Sequence, residues 1–202
     1  VVNGELVTRE PLSDCELIDI QRVGTLEAFN TDGLRTLLTT MVHIPNMKEK
    51  TLRYPGHAEY IQVLAKSGFF SEKPLTINGV EFIPREVTAK ILQDNWKLGN
   101  NEDEFTVLRV TIEGEENGKQ RRYIYRMIDY GDKENNLSSM ARTTGYTATA
   151  IANFVLLNKP ESGICAPEKL GAVDGAFEFV FDYLKQRDVD YRVESFTINA
   201  GN

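Results

Sequence analysis

The stretch "FTVLRVTIEGEENGKQRRYIYRMID", residues 105–129, decides the fold class. Leu108, Val110 and Ile112 alternate with Val107, Arg109 and Thr111, and Tyr123, Tyr125 and Met127 resume the two-residue period further on. Successive side chains of an extended chain point to opposite faces, so this alternation writes strands with two distinct faces. Asn117-Gly118 lies between the runs, and both residue types accept the positive φ of a type I′ turn. The segment reads as a long antiparallel hairpin.

On either side of it the period changes. In "NTDGLRTLLTTM", residues 30–41, Leu34, Leu37, Leu38 and Met41 share one helical face, and Asn30, Thr31 and Asp32 offer N-cap oxygens. "TLRYPGH", residues 51–57, leads into a helix from about Ala58 to Lys66, with Ile61, Leu64 and Ala65 inward and Gly68 placed to end it. "TINGVEFIPREVTAKIL", residues 76–92, reads as a second Asn-Gly hairpin followed by a helix that Pro84 opens. Beyond the long hairpin a helix starts near Ser138, with Ala148, Ile151, Ala152 and Val155 as a narrow small-residue face. Asp174 caps another helix, whose Phe177, Val180, Phe181 and Leu184 share a face, and "VDYRVESFTIN", residues 189–199, closes as a strand. Towards the N-terminus Gly4 marks a turn, Leu6 and Val7 a strand or connector, and Leu17, Ile18 and Ile20 an extended run. The expected fold is α+β, a mixed and largely antiparallel sheet with helices packed on it, as one domain over residues 1–202.

Composition narrows the function classes. The chain has 202 residues, 41% hydrophobic and 26% charged, which is ordinary for a globular protein with a real core. A formal charge of −7 without any basic run argues against nucleic acid as a partner. No apolar run approaches the roughly 20 residues that span a bilayer, so no membrane partner is expected. Cys15 and Cys165 are far apart and follow no metal-ligand spacing, so buried or half-buried free thiols and a cytoplasmic setting are expected. The chain starts at Val1 as though cut at a domain boundary.

Familiar catalytic sets are missing: no Gly-x-Gly-x-x-Gly, no Walker loop, no Gly-x-Ser-x-Gly elbow, and only His43 and His57 as histidines, so no metal site is expected. His57 follows Pro55-Gly56 at a strand-to-helix corner, where an imidazole can exchange protons near neutral pH. Taken alone, its residue type and position favour a helix-capping role. Arg53 carries a fork suited to a carboxylate, and equally suited to a salt bridge with Glu27, Asp32 or Glu59. Tyr54 either orients a ligand or packs, and Asp32 either pairs with a substrate ammonium or serves as a first-turn acid. "SSMARTTGYTATAIANF", residues 138–154, crowds Ser, Thr, Gly and Ala at a helix start, which suits either a cofactor edge or close helix packing.

The order of four segments carries more than any one of them. "TLEAFNTDGLRTLL", "KTLRYPGH", "SMARTTGYTATAIANFVL" and "GICAPEKLG", in this order, resemble the C-terminal portion of the saccharopine dehydrogenase-like family. Within it the likeness is to the lysine 6-dehydrogenase type, with saccharopine and carboxynorspermidine dehydrogenases as relatives. The resemblance implies the C-terminal domain of a two-domain, NAD- or NADP-dependent oxidoreductase acting at a carbon–nitrogen bond of an amino acid or its imine. It implies a homodimer, with the cofactor held mainly by an N-terminal Rossmann domain absent from this chain, and an isolated chain that is catalytically inert. It places Arg53, Tyr54 and His57 at the substrate cleft, His57 moving the amine proton. Asn30 and Asp32 also face substrate, and Arg142, Thr143, Thr144 and Gly145 lie near the cofactor. A non-catalytic ligand-binding or interaction module on the same scaffold is the alternative.

Overall fold

The structure is a computed structural model and describes residues 1–99, 102–158 and 162–198. It divides into two compact units, Val1–Gly99 and Asn100–Asn202.

In the first unit, β1 (Glu16–Ile20), β2 (Gly24–Asn30) and β3 (Lys50–Arg53) form an antiparallel sheet with β2 in the middle. The central strand is the buried one: Leu26, Ala28 and Phe29 are all inside. The helix expected over residues 30–41 shrinks to α1, Leu37–Thr40, and Asn30 ends β2 instead of capping a helix. Arg35 stands at φ 45°, where a right-handed helix cannot continue. Upstream of it, the Glu49 carboxylate accepts the Gly33 amide at 3.0 Å and the Thr31 hydroxyl, holding residues 31–33 near the sheet. Then come α2 (His57–Lys66), a hairpin of β4 (Leu75–Ile77) and β5 (Val80–Phe82), and α3 (Pro84–Trp96), which Pro84 opens as expected. Asn78 and Gly79 both take positive φ in the β4–β5 turn.

The second unit is built on the long hairpin, β6 (Phe105–Glu116) and β7 (Lys119–Tyr130), joined by Asn117-Gly118 with positive φ at both residues. β8 (Tyr191–Thr197) adds to β7, giving the antiparallel order β6-β7-β8; Asn199, the end of the expected strand, lies outside the described residues. Three helices accompany this sheet: α4 (Ser139–Asn158), the short α5 (Pro167–Leu170), which the sequence did not suggest, and α6 (Ala176–Lys185). Met127, Leu184 and Val189 form one core, flanked by Leu108, Tyr146, Val180 and Tyr191. Phe154, Leu170 and Ala176 form a second, flanked by Ile151 and Phe179.

The α+β class therefore stands, with the strands shared among three antiparallel sheets. Two local expectations change. The inner face of α4 is carried by Ser139, Tyr146, Ala150, Phe154 and, of the four residues expected there, Ile151; Ala148, Ala152 and Val155 are exposed. Alanine fits either face of a helix, so the large residues decide which one is buried. The N-cap of α6 is Gly175 at φ 75°, with no bond from Asp174. Cys15 and Cys165 are free, and both are exposed rather than half-buried. Among the described residues no helix is long and apolar enough to cross a membrane.

Met127 is 2% exposed at the centre of its core, whereas Leu156 on α4 is 74% exposed. Met127→Ala is expected to lower stability by about 2–5 kcal/mol, and Leu156→Ala to change it by less than about 0.5 kcal/mol, both read by chemical denaturation.

Candidate functional site

In the β2–β3 ladder Glu27 lies opposite Arg53 and Phe29 opposite Thr51, so these four side chains share one face of the sheet. The chain leaves that face through Tyr54-Pro55-Gly56 and enters α2 at His57. Gly56 is the N-cap at φ 95°, a left-handed conformation natural to glycine, and it has no side-chain oxygen for the orphan amides of the first turn. Glu27 supplies the missing acceptor from the neighbouring strand: its Oε2 accepts the Ala58 amide at 3.0 Å. The sequence suggested Glu27 only as a salt-bridge partner of Arg53. A glycine N-cap after a proline was the available signal that an acceptor must come from elsewhere.

His57 is half-buried against aromatic rings. Its imidazole lies parallel to Phe29, with centroids 5.8 Å apart and planes 7° apart, and tilted to Trp96 at 6.3 Å. The His57 pKa is lowered first by burial and then by the Arg53 charge, against the Glu27 carboxylate, which raises it. The imidazole is thus held in its neutral, proton-accepting form near neutral pH.

Arg53 is exposed and donates from Nη1 to the Leu52 carbonyl at 2.8 Å. Among the described residues it forms no salt bridge: Glu27 is committed to Ala58, and Asp32 pairs with Arg35 at 3.2 Å. A guanidinium has five N–H donors, so most of the Arg53 fork faces outward. Tyr54 is 67% exposed on the same corner. The structure thus brings Arg53, Tyr54 and His57 together. Asn30 has a different task, since its Nδ2 donates to Ser13 Oγ at 3.1 Å and to Asp14 Oδ2 at 2.8 Å, pinning the 12–14 loop. Asp32 is exposed with its Arg35 partner. Two shallow hollows among the described residues are lined by residues 19–24 and by residues at the end of α3, and neither is lined by Arg53 or His57. The Arg53–His57 corner is an open face.

Arg142–Gly145 belong to the first turns of α4 in the second unit. The Arg142 side chain is 11% exposed and that of Asp129 3%. Arg142 Nε donates to the Asp129 carboxylate at 3.2 and 3.3 Å, and Nη2 donates to it at 3.2 Å and to the Arg187 carbonyl at 3.1 Å. The hydrogen bonds that Asp129 accepts from it, together with the charge of that carboxylate, raise the Arg142 pKa against the burial that lowers it. Thr143 Oγ1 donates back to the Ser139 carbonyl at 2.8 Å, and Thr144 Oγ1 to the Met140 sulfur at 3.6 Å. Gly145 is bare, with nothing within 4 Å of where a Cβ would stand. The start of α4 is held by a second carboxylate: Glu104 accepts the Ser139 amide, and the Ser139 hydroxyl donates to Glu104 Oε2 at 2.7 Å. A Cβ on Gly131 would collide with this carboxylate, which accounts for that glycine.

A depressed folded-state pKa at His57 means that the unfolded chain binds the proton more tightly. The stability this contributes is fully present above the unfolded value, about 6.5, and is lost as pH falls through the folded value. In an NMR titration the His57 midpoint is expected below about 6.5. Glu27→Gln should lower it further and Arg53→Ala should raise it; shifts in the opposite directions would contradict this electrostatic arrangement.

The saccharopine dehydrogenase C-terminal domain family matches residues 1–189, nearly the whole chain. That match spans β1 to α6, including the Glu27–Arg53–His57 corner and the start of α4. The chain belongs to the saccharopine dehydrogenase C-terminal domain family, a domain associated with dehydrogenase-type oxidoreductases.

Proposed function

We propose that residues 1–202 form the substrate-binding and dimerisation part of an NAD- or NADP-dependent oxidoreductase acting on the carbon–nitrogen bond of an amino acid or its imine. The lysine 6-dehydrogenase, saccharopine dehydrogenase and carboxynorspermidine dehydrogenase types are the relevant substrates' enzymes. A Rossmann domain outside this chain holds the cofactor, the working enzyme is a homodimer, and its setting is cytoplasmic. One observation carries the reading: an outward guanidinium without a salt bridge, Arg53, sits on the same corner as an imidazole kept neutral, His57.

The nicotinamide, when bound, exchanges a hydride with the carbon that bears the nitrogen. The residues of this chain do the rest. Arg53 clamps the substrate carboxylate through two parallel N–H···O bonds, with Tyr54 beside it. His57, neutral and fixed against Phe29, accepts the amine proton as the carbon–nitrogen bond gains double-bond character, and returns it in the reverse direction. Asn30 contributes by holding the 12–14 loop, and Asp32 offers an exposed carboxylate to a substrate ammonium. On α4 the residues fit a cofactor only in part. Arg142 is committed to Asp129 and holds the helix start, so within the second unit Thr144 and Gly145, with Thr143 behind them, are the uncharged surface left for a cofactor edge. The openness of the Arg53–His57 face is what favours the second reading, a non-catalytic ligand-binding or interaction module.

In the complete enzyme with its nucleotide-binding domain, Arg53→Ala is expected to raise KM for the carboxylate substrate about ten- to a hundredfold. kcat should change much less. His57→Gln should lower kcat and remove the acidic limb of its pH profile. A folded Arg53→Ala enzyme with unchanged KM across a panel of amino acids would contradict the assignment and favour the module.

A further inference from the structure

Strand β6 is an edge strand: it pairs with β7 along all 12 of its residues, and its other edge has no strand partner among the described residues. Exposed edges are usually blunted by proline, lysine or a bulge. β6 contains neither residue type, and its register with β7 runs unbroken from Phe105 to Glu116. On the face shared with Met127 it carries two exposed apolar residues in its middle, Val110 at 42% and Ile112 at 53%, followed by Gly114 and Glu116.

Three further details concern the opposite face and the backbone. Arg109 and Glu115 lie on that face and have no partner among the described residues, whereas Glu113 between them is held by Arg122 at 2.7 Å. Gly114 weakens a strand interior without a local reason. Its φ is not positive, and nothing lies within 4 Å of where a Cβ would stand. A glycine inside a strand often marks a bulge, a bend or the close approach of another backbone, and the unbroken register leaves out the bulge.

We propose that β6 pairs antiparallel with β6 of a second copy of this chain, in the register that sets Ile112 opposite its own symmetry mate. Residues then face each other across a two-fold axis: Arg109 opposite Glu115, Val110 opposite Gly114, Thr111 opposite Glu113, and Leu108 opposite Glu116. Both unpartnered charges gain a partner, twice over by symmetry, and Ile112 and Val110 are covered. Moving the centre to Glu113 would set that carboxylate against its own copy, and moving it to Thr111 would spend Arg109 on a carboxylate already taken by Arg122. The other edge, β8, is shorter at 7 residues, and its Glu194 is engaged with Arg126. The result is a six-stranded sheet continuous across the dimer, which gives the homodimer assigned above its surface and rests on that assignment.

The test is sedimentation equilibrium of the chain and its variants. Arg109→Glu and Glu115→Arg are each expected to weaken the dimer about tenfold or more, and the double exchange to restore it. Thr111→Pro, which blocks edge pairing, should give monomer. If it fails to fold, the charge exchange still decides. In a background with Cys15 and Cys165 replaced by serine, Ile112→Cys should form a covalent dimer on mild oxidation, and Val193→Cys on β8 should not. A dimer unaffected by the single charge reversals would overturn the β6 pairing while leaving the homodimer intact. A monomeric parent chain would overturn both, and neither outcome bears on substrate binding by Arg53.

Discussion

The bond between the Glu27 carboxylate and the Ala58 amide links the centre of the first sheet to the first turn of α2. A helix starting at a glycine cannot cap itself with a side chain, so without Glu27 its half-buried first turn would leave donors unsatisfied. That bond also fixes where His57 begins the helix, and therefore how its ring lies on Phe29. The same carboxylate opposes burial and the Arg53 charge at the imidazole. One side chain thus holds the start of the helix beside the imidazole and partly offsets the two effects that lower its proton affinity.

The second unit repeats the device with other residues. Glu104 takes the Ser139 amide and hydroxyl, and Asp129 takes the Arg142 guanidinium one turn later. Removing one member of a buried pair leaves the other charged and unsolvated, so Asp129 and Arg142 constrain each other strongly. The consequence for function is that the only cation in the Arg142–Gly145 stretch is a structural one, and the surface it leaves free is small and uncharged.

Much of this was legible in the sequence where the signal was local. Asn117-Gly118 and Asn78-Gly79 announced their hairpins because few other pairs accept two positive φ values. Pro84 and Gly68 marked helix ends for equally local reasons. The failures came where a distant group decided the outcome. The helix expected after Asn30 gave way to Arg35 at positive φ and to Glu49, nearly twenty residues on, which holds the Thr31–Gly33 segment. The alanine-rich face of α4 was misread because small residues are compatible with either side. At the site, Arg53, Tyr54 and His57 stand within one short stretch, residues 51–57, that can be read without the fold. The parts of Glu27, Phe29 and Trp96 were not legible, because Phe29 and Trp96 meet the His57 ring and Glu27 holds the Ala58 amide only once β2, α2 and α3 are assembled.

The claim that Glu27 anchors α2 is tested most directly by hydrogen exchange at a single amide, that of Ala58, in the parent chain and in Glu27→Gln. A held amide exchanges slowly, and losing its charged acceptor should accelerate exchange by about tenfold or more while the later turns of α2 are little changed. An Ala58 amide that exchanges equally fast in both proteins would show that the first turn is held by something else, and the account of the His57 corner would fail with it.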